Sequence, residues 1–493
     1  MVDKKVFQPY YTKSDPIIQY MMKSLKIEDN IKILEPAAGT GVFIDALLSI
    51  KDATIRLIQA YEIDPDAHKI LEEKYRNQSN VETVFSDTLF DPVLDQHVAS
   101  GGYYDRIIAN PPYGGWLDYD KRAKLKAKYP TIYIKETYGV FLYRCIQLLK
   151  DKGILVFIIP DTFLNLHMHT KLRRWLLQTT TVQEISMFPS SFFPDVSFGY
   201  ANMCIISLQK QAHDDSTSFR LFTNYKKVAH LENQKNAGCA YTIHQADVIS
   251  NIDHALFVSD NPKIMALINN AKSRIGDIAD CVTGFYSGND KIHLRTKLER
   301  KRYQQILPSE VYDQPNTRHL IDGLANGKQY IPIVKGGARK YVKPDEWFML
   351  WTREAVAHYK ESKKARFQNA SYYFRDGIAV PMVSSSRITA SILDKRLFDQ
   401  SIVGIFPKDD MYKYYLLAFF NSPTCNTLIR TINPSANNSA KYIRKIPFIY
   451  PSHDALKLLN ERVKEVIDSR KQGIARPKME EEIEKVIHDI YHF

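Results

Sequence analysis

Ile31-Lys32-Ile33-Leu34-Glu35-Pro36-Ala37-Ala38-Gly39-Thr40-Gly41 is the stretch that decides the fold. The apolar residues at 31–34 read as a short strand, and the small residues and glycines behind them read as a tight turn. A helical run follows at 42–48, which makes the segment a strand–turn–helix unit. Glycines at such a turn let the backbone approach a ligand closely at the carboxyl end of a sheet. The string lacks the G-x-G-x-x-G spacing of a pyrophosphate turn, and a ligand-free strand-to-helix turn has the same composition.

Working outward, residues 55–61 read as a second strand and 66–76 as an amphipathic helix. Short apolar strands are expected at 81–85 and 106–109, and a helix at 138–149. The strongest strand signal is 154–159, and 182–188 and 201–208 complete the set. This alternation predicts an α/β, Rossmann-like sheet covered on both faces. Beyond Leu208 the alternation stops. Residues 209–218 are polar and read as a linker, followed by short mixed runs and a charged helical end at 453–492. The expected division is an α/β domain over 1–214, and a mixed α+β domain with C-terminal helices over 215–493.

Composition supports two domains. The chain has 493 residues, 44% hydrophobic and 25% charged, ordinary for a globular protein but too long for one core. No apolar run approaches the roughly 18 residues that would span a bilayer, and Met1-Val2-Asp3-Lys4-Lys5 lacks an apolar segment of the signal-peptide type, so none is expected. Five scattered cysteines have no metal-ligand spacing, so no metal and a reducing, cytoplasmic (nucleoid-associated) location are expected. A net charge of +12 suggests a polyanionic partner, although a chain can be basic without one.

Two further strand ends carry carboxylates. In Tyr61-Glu62-Ile63-Asp64, Glu62 is placed to accept hydrogen bonds from ribose hydroxyls, and Ile63 offers a flat apolar surface to an adenine ring. Asp64 precedes Pro65 and reads as a helix cap. In Ser86-Asp87, the Asp87 carboxylate either accepts from an adenine amino group or caps a turn.

The fourth strand runs into Asn110-Pro111-Pro112-Tyr113, the sharpest signal in the chain. A given four-residue string arises by chance in only ~ a few such chains per thousand. An aromatic amino group is a poor nucleophile because its lone pair is delocalised into the ring. Acceptors aimed at its two hydrogens favour the pyramidal form that develops during attack. The Asn110 side-chain oxygen and the Pro111 carbonyl are such acceptors, the prolines stiffen the turn, and Tyr113 offers a face for a planar base. A sulfonium methyl is already activated, so direct displacement needs no nucleophilic Cys or Ser.

These segments resemble class I methyltransferases of the amino-methylating type. Their order is similar to the gamma group of DNA adenine methyltransferases, of the TaqI type. The resemblance is close over residues 7–208 and lies only in arrangement beyond. It implies S-adenosylmethionine as cofactor, held by Thr12 within Tyr11-Thr12-Lys13, by Glu35, Ala37 and Gly39, by Glu62, Ile63 and Asp87, and by Asn110. It also implies that Phe193, in Phe193-Pro194-Asp195-Val196, stacks with Tyr113 on the target base, although Phe192 and Phe198 lie close by.

A base within a duplex must be flipped out to reach such a site. The implied partner is therefore double-stranded DNA, held and read by the C-terminal half as a target recognition domain. Candidate DNA contacts are Lys291, at the end of Thr283-Gly284-Phe285-Tyr286-Ser287-Gly288-Asn289-Asp290-Lys291, and Lys335, Arg339 and Lys340. Asn433 to Asn438 and the basic stretch 121–128 are further possibilities, and each of these reads equally well as a surface turn or a solvated helix face. No convincing nuclease motif is found in the C-terminal half, so no cleavage activity is expected, with a separate cognate restriction endonuclease as an optional companion; a monomer is the expected state. The rival readings are methylation of cytosine N4, RNA adenine or protein glutamine, or an inactive DNA-binding adaptor.

Overall fold

The computed structural model describes residues 14–493 apart from 115–118, 194–201, 258, 260, 314–319, 326, 338, 385–386 and 434–435. The chain divides into two compact units, Met1–Leu256 and Phe257–Phe493.

The first unit opens with helix α1 (Asp15–Leu25), then β1 (Ile31–Glu35), α2 (Val42–Leu48), β2 (Ile55–Glu62), α3 (Pro65–Tyr75) and β3 (Val81–Phe85). It continues through α4 (Pro92–Ala99), β4 (Tyr104–Ala109), α5 (Tyr119–Lys128), α6 (Thr137–Leu148), β5 (Leu149–Pro160) and α7 (Thr170–Thr179). Strands β6 (Thr181–Pro189), β7 (Asn202–Gln209), β8 (Ser218–Thr223) and β9 (Cys239–His244) complete one nine-stranded sheet, ordered 3-2-1-4-5-7-6-8-9. Strands β1 to β5 pair in parallel, whereas β7 runs antiparallel between β5 and β6. The central strands are apolar on both faces: Ile33, Leu34, Ile107, Ile108 and residues 155–159 are essentially inaccessible. Continuous apolar runs are what helices on both sides of a parallel sheet demand.

The expected α/β sheet is thus present, with strand and helix ends within a few residues of the sequence reading. The unit boundary differs. It falls after Leu256, not at 214, because the polar run expected to be a linker turns back into the same sheet. There β8 pairs in parallel with β6 (Ile185 opposite Leu221) and β9 adds antiparallel to β8.

The second unit is mixed α+β. One sheet pairs Leu294–Thr296, Trp347–Leu350 and Tyr330–Val334, and another pairs Ala279–Thr283, Ile402–Pro407 and Ile378–Pro381. Phe285, Trp351, Tyr359, Tyr373 and Phe398 form an aromatic core between them. The charged C-terminal stretch folds into two helices, His453–Lys471 and Pro477–Tyr491. Among the described residues no helix is long and apolar enough to cross a membrane.

Candidate active site

Strand order reverses between β1 and β4, and ligands of open α/β sheets bind outside the carboxyl ends at such a switch point. Adjacent strands there carry Asp87, Glu62, Glu35 and Asn110 just at or beyond the ends of β3, β2, β1 and β4. Four neighbouring strands span about 14 Å, so the rim suits an elongated ligand.

Glu62 knits this rim together. Its Oε2 accepts from Gly39 N at 2.7 Å, and its Oε1 accepts from Ile63 N and Asp64 N, each at 2.8 Å. A carboxylate has about four acceptor sites, which leaves one on Oε2. Burial pushes the Glu62 pKa up, while the three backbone donors pull it back. Ile63 stands 38% exposed beside it, as an adenine-facing surface requires. Asp64 does cap α3, accepting from Asp66 N at 3.0 Å.

The glycine turn is supported from α3. Tyr75 donates its hydroxyl to Gly41 O at 2.8 Å, and Lys74 reaches Thr40 O at 3.3 Å. Gly41 has φ +84°, and a Cβ there would fall 2.3 Å from the Tyr75 hydroxyl, so a larger residue would be strained and would displace the Tyr75 ring. Ala37 and Gly39 lie in this turn, half-buried. Thr88 Oγ1 donates to Pro36 O at 2.6 Å from the β3 side.

Glu35 is the anomaly of the site. It is 2% exposed, and its Oε2 is buried without a hydrogen-bond partner. Burial, then the negative charge of Glu62, hold its pKa well above the ordinary 4.5. The folded chain therefore keeps a proton that the unfolded chain releases above pH 4.5. Stability from this group is full below that pH and is lost as pH rises toward the folded pKa. Glu35→Gln should accordingly flatten the decline of the cofactor-free protein's urea midpoint between about pH 5 and pH 8. Identical pH slopes in the two proteins would show that Glu35 is not held neutral.

Asp87 accepts from Leu89 N at 3.0 Å and pairs with Lys121 Nζ at 2.9 Å. In this state it is a turn cap and an ion-pair partner, one of the two roles expected of it. The pair also anchors the basic helix α5 to the rim.

Asn110 follows β4 directly, and Tyr113 donates its hydroxyl to Asn110 Oδ1 at 2.5 Å. Tyr113 is only 1% exposed, so its ring is covered and stacks on no base in this arrangement. Pro111 is buried and Pro112 half-buried. Phe193 is likewise buried, its ring 6.4 Å from that of Phe188. Thr12, with Tyr11 and Lys13, and Pro194, Asp195, Val196 and Phe198 lie outside the described residues.

Asp161 escaped the sequence reading. It immediately follows β5, is 5% exposed, and accepts from Asn202 Nδ2 at 3.2 Å. Burial pushes its pKa up to about 6. The rule that singled out Glu62 and Asp87, a carboxylate closing a strand, would have found it after Ile158-Ile159-Pro160.

In the second unit the expected cations divide. Lys335 Nζ lies 2.7 Å from Asp290 Oδ2 and 3.0 Å from Asp399 Oδ2, and Lys340 pairs with Glu484 at 2.9 Å. In this structure both are engaged with carboxylates of their own unit. Lys291 and Arg339 are exposed. The glycine-aromatic loop is not a free reading loop either: Phe285 and Ser287 are buried, and Asn289 and Lys291 are its exposed members. Asn433 and Asn438 are fully buried, and Asn437 is exposed.

Sheet order, reversed β7 and strand-end rim together define a class I methyltransferase fold. Over 97% of this chain and 71% of its own, the Type IIL restriction-modification enzyme MmeI, solved in complex with DNA, has a similar fold with a TM-score of 0.58 at 12% identity. Residues 41–193 match the family described as Eco57I restriction-modification methylase. The Type II methyltransferase M.HindII of Haemophilus influenzae is 26% identical over 58% of this chain and 55% of its own length. The adenine-specific methyltransferase BrxX of Escherichia coli O9:H4 is 24% identical over 80% of this chain and 32% of its own. The chain thus spans about half or less of the length of these curated relatives.

Proposed function

We propose that this chain transfers the methyl group of S-adenosylmethionine to N6 of an adenine flipped out of duplex DNA. The observation that carries the reading is Asn110-Pro111-Pro112-Tyr113 at the end of β4, beside Glu35 and Glu62 at the switch point. The names of M.HindII and BrxX support it, and the order of cofactor turn, tetrapeptide and C-terminal unit resembles that of the gamma group.

The residues present suit this cofactor. Glu35 and Glu62 act on one another electrostatically, and Glu35 has an orphaned buried oxygen. A ligand carrying positive charge relieves both conditions, whereas a pyrophosphate would worsen them. Glu62 has an acceptor site for a ribose hydroxyl, Ile63 an apolar face for adenine, and Thr12 and Asp87 are proposed to complete the set. When bound, the cofactor supplies a sulfonium-activated methyl group. The chain then has to present the amino group in line. Asn110 Oδ1 and the Pro111 carbonyl accept its two hydrogens and localise its lone pair. Tyr113 and Phe193, uncovered on base entry, are proposed to sandwich the ring.

Double-stranded DNA is the proposed partner, held by the second unit acting as a recognition domain with Lys291 and Arg339 at the backbone. Action as a cytoplasmic monomer in a restriction-modification setting completes the proposal. Tritiated cofactor offered with duplex DNA, RNA and protein tests it, followed by identification of the labelled nucleoside. Label in N6-methyladenine of duplex DNA is expected. Label in protein alone ends the reading, and N4-methylcytosine redirects it to the other base.

A further inference from the structure

Most torsions of the Asn110-Pro111-Pro112-Tyr113 backbone are fixed by the prolines. Each ring locks its own φ. Asn110 and Pro111 each precede a proline, which confines their ψ to the extended region. The soft torsion within the turn is ψ of Pro112, which aims the Pro112 carbonyl and the start of Tyr113. That carbonyl is held from outside: Thr137 Oγ1 donates to Pro112 O at 2.6 Å. Thr137 is the first residue of α6 and is 7% exposed. Tyr113 in turn reaches Asn110 Oδ1, so one hydroxyl on α6 closes the set of constraints.

The first turn of α6 is itself anchored. Tyr138 donates its hydroxyl to Glu136 Oε2 at 2.7 Å and lies 3.1 Å from Thr162 Oγ1 and 3.0 Å from His169 Nε2. His169 Nε2 is also 2.8 Å from Glu136 Oε2, and the His169 ring is fully buried. This cluster ties the start of α6 to the segment after β5 and to the residue before α7. Thr137 therefore presents its hydroxyl from a fixed platform.

We propose that Thr137 is a positioning residue for methyl transfer, acting through the Pro112 carbonyl to aim Tyr113 and Asn110. The inference rests on reading the tetrapeptide as the amino-methylating turn. Thr137→Val keeps the shape and removes the donor, Thr137→Ser keeps the donor, and Thr137→Ala is a second donor-free variant. Turnover is expressed per cofactor-binding site, counted by titration, so that unfolded chains do not enter. With a duplex DNA substrate, kcat is expected to fall roughly ten- to hundredfold in Thr137→Val and Thr137→Ala. Cofactor Kd should stay within about twofold, and Thr137→Ser should recover kcat to within about threefold of the wild type. Wild-type turnover in Thr137→Val overturns the inference and leaves the methyltransferase reading standing, as does an equal loss in Thr137→Ser. A wild-type protein that methylates no DNA overturns both.

Discussion

Asn110→Ala is expected to lower kcat by two or more orders of magnitude while the cofactor still binds. The reacting nitrogen has to give up conjugation with its ring, and the acceptors that make this favourable must be in place beforehand. Asn110 supplies one of them from the end of a buried strand, with its oxygen oriented by the Tyr113 hydroxyl. Alanine leaves only the Pro111 carbonyl as an acceptor and removes the Tyr113 hydroxyl's bond to residue 110. The cofactor rim is built on Glu35, Glu62 and the glycine turn, so its affinity should change little. Single-turnover methyl transfer and calorimetric cofactor binding, measured on the same preparation, separate the two effects. Wild-type turnover in the variant would remove Asn110 from the chemistry.

A large loss of stability is expected from Gly284→Ala. A Cβ on Gly284 would lie 2.1 Å from the Phe398 carbonyl oxygen and 2.5 Å from that of Asp399. Both are backbone atoms, and Phe285 N donates to Phe398 O at 2.8 Å, so the two segments cannot separate without breaking their pairing. Phe285 is inaccessible, its ring 5.0 Å from Tyr359 and 5.5 Å from Trp351. A shift at Gly284 is thus passed into the aromatic core. The expected cost is about 3 kcal/mol or more, read as a lower urea midpoint. Gly327→Ala is the control: with φ +81° and open space around it, it should cost only about 1 kcal/mol. Equal midpoints in the two variants would contradict the close-approach argument.

Sequence patterning made the parallel half of the sheet legible because its strands are buried on both faces and read as unbroken apolar runs. Strands β8 and β9 were harder to see. They lie at the far edge, β9 alternates half-buried with exposed residues, and the polar turn before β8 resembles a linker. Site residues divide in the same way. Glu62 and Asn110 could be found because a strand end announces its position. Thr137 could not, since its partner Pro112 lies 25 residues away and threonine at a helix start is commonplace. The ion pairs of Lys335 are hidden from the sequence for the same reason: its carboxylates are 45 and 64 residues distant.

That ion cluster bears on how the basic charge would act on a polyelectrolyte. Each phosphate neutralised by a protein cation releases condensed counterions and steepens the log–log salt dependence of binding by about 0.9. Lys335 is already neutralised by two carboxylates of its own unit, whereas Lys340 shares Glu484 with Arg387. A slope calculated from Lys291, Lys335, Arg339 and Lys340 together should therefore exceed the measured contribution by about 0.9.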